Sequence, residues 1–166
     1  MDLAFVATTR DIHPVDLIEQ IINDHDWLFE RHAEDEISLC VEGDQTDYQL
    51  SFLWMDAQEA LHLGCAFELS VSEGDEGEMN RLLLLINEKL LMGHFDYWTQ
   101  TNVVVYRQAL LLTGGLYPSQ QQIEQLIDNA VGVCESYYQA FHLVATTKIS
   151  AENALRYSLF ETLGNA

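Results

Sequence analysis

From Ala60 to Val71 the chain alternates without a break, with Leu61, Leu63, Cys65, Phe67, Leu69 and Val71 set against Ala60, His62, Gly64, Ala66, Glu68 and Ser70. A period of two is the spacing of a strand, whose successive side chains point to opposite faces. This run therefore requires a sheet with one buried face. The same pattern precedes it: Ile37, Leu39 and Val41 share one face, Gly43 to Thr46 make a turn, and Tyr48, Leu50, Phe52 and Trp54 share a face again. These two runs read as an antiparallel hairpin, joined to the long strand through Asp56 to Glu59.

Helical spacing flanks the strands. His13 and Pro14 open a first helix, because proline suits the first helical position and Asp16 and Glu19 lie near the positive end of the dipole. Leu17, Ile18, Ile21 and Ile22 form its apolar stripe. After the acidic loop Glu73 to Gly77, Met79, Leu82, Leu83, Ile86 and Leu90 recur at helical spacing, and Gly93 suits a helix stop. If that helix runs from Glu78 to Met92, Leu84 and Leu91 fall together on its opposite flank, beside Asn80, Asn87 and Glu88. Such an apolar seam implies a covering helix, for which the last one is the candidate, or contact with a second chain.

A second hairpin follows, Phe95 to Gln100 and Val103 to Leu112, turning near Thr101 and Asn102. Its second strand is apolar on both faces around Arg107 and belongs inside the sheet. Gly114, Gly115 and Pro118 then break the chain, and Ser119 with Gln122 forms a capping box. The helix beyond it buries Ile123, Leu126, Ile127, Ala130, Cys134, Tyr137, Tyr138 and Phe141, and a last helix runs from Ser150 to about Leu163, where Gly164 stops it. The expected fold is α+β, a five-stranded antiparallel sheet with helices packed on one side in the order α-β-β-β-α-β-β-α-α. One domain spans 1–166, with its core over about 12–147 and the terminal helix over about 150–163.

Charge narrows the partners. The 166 residues carry a net charge of −20, and between Asp11 and Asp47 twelve acids face one base, Arg31. A hydrophobic share of 48% places that charge on a folded surface. Such a surface repels phosphate backbones and anionic lipid, which argues against nucleic-acid and membrane binding. It would suit a basic partner, but plain solubility or adaptation to salt accounts for it more simply and would also explain why Lys89 and Lys148 are the only lysines. The start MDLAFVATTR, an acid before a very short apolar run, is not expected to be a signal peptide, and Val103 to Leu112 falls short of the ~20 residues of a membrane helix. A cytoplasmic protein is expected. Cys40, Cys65 and Cys134 suit reduced thiols rather than a disulfide framework.

The pattern holds little that carries chemistry. Asp24, His25, Asp26 and His32 invite a metal, but no HExxH, paired CxxC or calcium loop occurs, and His62 and Cys65 point to opposite faces of their strand. No Gly-x-Ser-x-Gly elbow is present, and Gly114 and Gly115 lack the lysine and threonine of a phosphate loop. No catalytic residue, metal ligand or cofactor is assigned. At the end of the second helix, His94 and Asp96 could form a small polar site; alternatively His94 caps the helix carbonyls while Phe95 enters the core. Arg107 needs an acidic partner if buried, and Asp96 across the hairpin is the natural one.

The residues also resemble the YbjN-domain family of bacterial proteins, described as candidate regulators of sensory transduction. The match runs through His13, Pro14, Asp16 and Glu19; Trp27, Phe29, Glu30 and Arg31; Asn87, Glu88, Gly93, His94, Phe95 and Asp96; Tyr106 and Arg107; and Cys134, Tyr138, Ala140 and Phe141. The resemblance implies a fold similar to type III secretion chaperones, which work as dimers holding peptide segments of partner proteins. It implies no catalytic residues. The expected function is a non-enzymatic, homodimeric protein-binding module with an unidentified protein client, chaperone-like or regulatory, with Leu84 and Leu91 as contact residues. The alternative is a small-molecule sensor or enzyme using a pocket near His94.

Overall fold

The computed structural model describes residues 10–164 except 26, 70, 72, 73 and 75, with side chains described through Ser158. Six strands, β1 (Phe29–Ala33), β2 (Glu36–Glu42), β3 (Asp47–Met55), β4 (Ala60–Glu68), β5 (His94–Trp98) and β6 (Val103–Leu111), form one sheet in the order β1-β2-β3-β4-β6-β5. Every neighbouring pair is antiparallel. Helices α1 (Pro14–Asp24), α2 (Glu76–Asn87), α3 (Gln120–Thr147) and α4 (Ala151–Gly164) complete the fold.

The alternation does what its period requires. Tyr48, Leu50, Phe52 and Trp54 of β3 and Leu61, Leu63, Cys65 and Phe67 of β4 are buried, as are Ile37, Leu39, Val104 and Tyr106 on the neighbouring strands. Against them lie Val15, Ile18 and Ile22 of α1, Met79, Leu82 and Ile86 of α2, and Ile123, Ile127, Ala130, Cys134 and Phe141 of α3. The opposite face of the sheet carries Gln49, Leu53, Glu68, Ala109 and Leu111, all exposed. Both predicted helix starts are present. His13 accepts from the Val15 backbone N–H at 3.2 Å, and Ser119 and Gln122 close a reciprocal capping box at α3.

The sheet has six strands rather than five, because Phe29–Ala33 adds an edge strand to β2. Its sequence, FERHA, shows no apolar alternation, and an edge strand paired on one side can form without one. Phe29 and Arg31 lie opposite Leu39 and Ile37, so Arg31 faces the helices. There it pairs with Asp16 at 3.1 Å and Glu19 at 2.8 Å on α1. The lone base of the acidic segment thus ties the edge strand to the first helix.

The second helix also ends earlier than its leucine spacing predicts, at Asn87 rather than Met92. The Lys89 N–H returns to the Ile86 carbonyl at 2.9 Å, a tightened last turn. Asn87 Oδ1 accepts from the Phe95 N–H at 2.7 Å, and its Nδ2 donates to the Phe95 carbonyl at 3.0 Å. One side chain thereby replaces a neighbouring strand at Phe95. Leu91 consequently leaves the helix, and the seam expected along one flank does not form: Leu84 is on α2 and 67% exposed, while Leu91 is in the following turn and fully exposed. The last helix covers neither. Instead α4 meets α2 where Glu78 accepts from the Ala151 N–H at 2.7 Å and Arg81 pairs with Glu152 at 2.9 Å.

Gly93 takes φ 66° just before β5, outside the helix it was expected to stop. A Cβ there would stand 2.2 Å from Tyr106 Oη. That hydroxyl lies 2.9 Å from the Met92 carbonyl and 3.0 Å from Gln108 Oε1, and accepts from Asn129 Nδ2 at 3.0 Å.

Candidate functional site

The polar groups of the exposed sheet face converge where β4, β6 and β5 run side by side. Register places His94 and Gly64 on either side of Arg107, with His62 two residues from Gly64 on β4. Arg107 Nη1 donates to Asp96 Oδ2 at 2.8 Å, as the hairpin predicted, and Nε donates to His62 Nε2 at 3.1 Å. His94 Nε2 stands 3.7 Å from the same Asp96 oxygen. Half-buried between charged neighbours, the His62 imidazole titrates below its usual range, first through desolvation and then through repulsion from Arg107 and His94. A neutral His62 is what an Arg107 N–H requires of its acceptor.

These residues border an open depression of about 550 Å³ lined by His62, Met92, Gly93, His94, Arg107, Gln108 and Ala109. His94 does not cap the helix, because α2 has already ended at Asn87; Phe95 does enter the core, at 1% exposure. The lining brings together two imidazoles, a guanidinium and a carboxamide beside the apolar Met92 and Ala109.

Other sequence candidates are scattered. His25 bonds Glu124 at 2.8 Å and stacks on Trp27, while His32 bonds Ser38 at 2.6 Å; Asp26 lies outside the described residues. Among the described residues no three His, Cys, Asp or Glu side chains gather as a metal site, and no helix is long and apolar enough to cross a membrane. Cys40 is half-exposed, and Cys65 and Cys134 are buried with their sulfurs 3.6 Å apart. Burial, and then the contact with Cys65, hold the Cys134 thiol well above its ordinary range.

Sequence reasoning missed His62, compared only with Cys65 three residues on. Alternation did place His62 on the polar face, but its approach to Arg107 depends on the pairing of β4 with β6, strands far apart in the chain.

A family model described as YbjN, "Putative bacterial sensory transduction regulator", matches residues 14–143. No curated protein matches by sequence. Among solved structures, the crystal structure of YbjN from E. coli is similar with a TM-score of 0.54 at 11% identity, covering 89% of this chain and 93% of that one. The crystal structure of the ExsC-ExsE complex contains a chain similar with a TM-score of 0.53 at 14% identity, covering 82% and 99% respectively. At these identities the likeness is one of fold, an α+β fold shared with both structures.

Proposed function

We propose that this chain, which belongs to the YbjN family, works as a non-enzymatic, homodimeric protein-binding module of chaperone-like or regulatory type. The observation that carries this reading is the exposure of two leucines, Leu84 on α2 at 67% and Leu91 in the turn after it at 100%. Large apolar side chains left in water next to a well-packed core favour a partner surface. Contact with a second copy would bury apolar area worth roughly 25 cal/mol per Å² before association costs. The ExsC-ExsE structure is a complex of two proteins, which is consistent with partner binding by this fold. The net charge of −20 favours a basic client over nucleic acid or anionic lipid. The test is light scattering on the Leu84→Glu, Leu91→Glu double variant, expected to be a folded monomer where the parent is a dimer. A dimer that survives both substitutions, or a chain that no longer folds, refutes the contact.

A second reading rests on the depression at His94: a small-molecule sensor whose ligand seats on the exposed sheet face. Its size lies within the ~300–1,000 Å³ range of ligand sites. A ligand that shifts the His94 imidazole resonances in the intact chain supports it.

A further inference from the structure

Cationic groups are scarce in this chain, seven Lys and Arg against 27 Asp and Glu, and most of the described arginines are held by acids. Arg10 pairs with Glu59, Arg31 with Asp16 and Glu19, and Arg81 with Glu152. Arg107 is placed differently. It has one carboxylate, Asp96, on Nη1; its Nε is taken by a neutral imidazole; and Nη2 has no acceptor among the described residues. That nitrogen carries two N–H groups in the plane of a guanidinium already aligned by Asp96 and His62. His94, 52% exposed, stands beside it on β5, and both line the depression. Orientation is therefore supplied before a ligand arrives.

We infer that His62, His94 and Arg107 form a binding site for a monocarboxylate carried on an aliphatic body. This rests on the small-molecule reading of the depression and names its ligand class. A carboxylate matches the planar fork of a guanidinium, and the remaining N–H groups supply charge-assisted hydrogen bonds. Phosphate fits less well, since a dianion meets stronger repulsion from a chain of net charge −20 and only one guanidinium is present to receive it. The aliphatic part is assigned from the walls: Met92, 56% exposed, and Ala109 flank the polar groups, and Leu111, 66% exposed, lies two residues along β6. Asp96 acts as an internal competitor, occupying part of the guanidinium that a ligand carboxylate would use. The shared chemistry admits two sources, a free aliphatic acid or the C-terminal carboxylate of a peptide ending in leucine.

The experiment is NMR titration of the intact chain, observing the His62 and His94 imidazoles and the Arg107 Nε–H. The probes are octanoate, octanamide, inorganic phosphate, and a leucine-terminated peptide with a free or an amidated end. Octanoate should shift all three signals and bind at least about tenfold more tightly than octanamide, the neutral isostere. Arg107→Met should abolish the response. Because that variant can disturb the fold, His94→Ala, at an exposed position, should weaken octanoate by about threefold, and Asp96→Asn should tighten it. A free-ended peptide that outcompetes octanoate while its amide does not identifies a chain terminus as the source. Equal binding of octanoate and octanamide, tighter binding of phosphate, or no tightening in folded Asp96→Asn overturns the carboxylate assignment while leaving a ligand site in place. Unmoved signals with every probe overturn it, and a wider ligand panel that also leaves them unmoved removes the sensor reading.

Discussion

Replacing Gly93 by alanine tests the local structure most directly, because two independent penalties meet at one atom. At φ 66° a side chain meets its own backbone, a cost of about 1–2 kcal/mol. The added Cβ would also stand 2.2 Å from Tyr106 Oη and 2.4 Å from Cζ, on a ring that is fully buried and cannot swing aside. Moving it costs a further ~1–3 kcal/mol of overpacking, and each hydroxyl bond lost adds about 1 kcal/mol. The sum, about 3–6 kcal/mol, is a large part of the ~5–15 kcal/mol that keeps a domain folded. Urea denaturation should show it as a midpoint lower by roughly 1.5–3 M at a slope near 2 kcal/mol/M. Two other glycines separate the causes. Gly114, at φ 78° with open space around it, should lose only the ~1–2 kcal/mol of strain on becoming alanine. Gly77, inside α2 with nothing within 4 Å, should instead gain ~0.5–1 kcal/mol. Adding Tyr106→Phe to Gly93→Ala removes the nearest colliding atom, so the double variant should be more stable than the two single losses added. A Gly93→Ala protein within about 0.5 kcal/mol of the parent, or no worse than Gly114→Ala, refutes the close-approach argument.

Three further outcomes are expected. Asn87→Ala strips both hydrogen bonds from the backbone of Phe95 and should cost about 2–4 kcal/mol in urea denaturation, with Asn87→Asp intermediate because it keeps the acceptor. His62 binds its proton less readily folded than unfolded, so its contribution is fully present above about pH 6.5 and is lost as pH falls towards the lowered folded value. His62→Gln keeps an acceptor for Arg107 without titrating, and between about pH 7.5 and pH 5 it should lose less stability than the parent; parallel pH curves from the two proteins would contradict this. A strong chelator should leave the melting temperature unchanged, and a large drop would reveal a metal site that the spacing of His, Cys, Asp and Glu does not show.

Sequence legibility followed the range of the interactions. Periodicity exposed β3 and β4 because large apolar side chains recur at every second position, and the α3 cap was legible because Ser119 and Gln122 satisfy each other locally. The Asp96–Arg107 pair could be anticipated because a hairpin brings its own strands together. What stayed hidden depended on neighbours distant in sequence. Phe29–Ala33 is a strand because β2 is beside it and because α1 supplies acids for Arg31. The α2 stop depends on Asn87 finding Phe95, and leucine spacing alone continues the helix past it. Gly93 looked like a helix stop, whereas its main constraint is the approach of Tyr106 from another strand. The polar site suffered likewise: His94 and Asp96 were visible in their motif, while His62 needed the β4–β6 register.

That register has a kinetic meaning. Strands β1 to β4 pair in chain order, and β5 with β6, so these ladders close through short connections. Joining the two groups means pairing β4 with β6, where contacts such as Arg107 with His62 lie 45 residues apart in sequence. Loop-closure entropy for that step exceeds that of a tight hairpin by about 2 kcal/mol, reckoned at ~0.6 kcal/mol per doubling of length. Pairing β4 with β6 is therefore the ladder of this sheet with the largest loop-closure cost. Because the polar depression spans that junction, its residues are assembled only when the two halves have met.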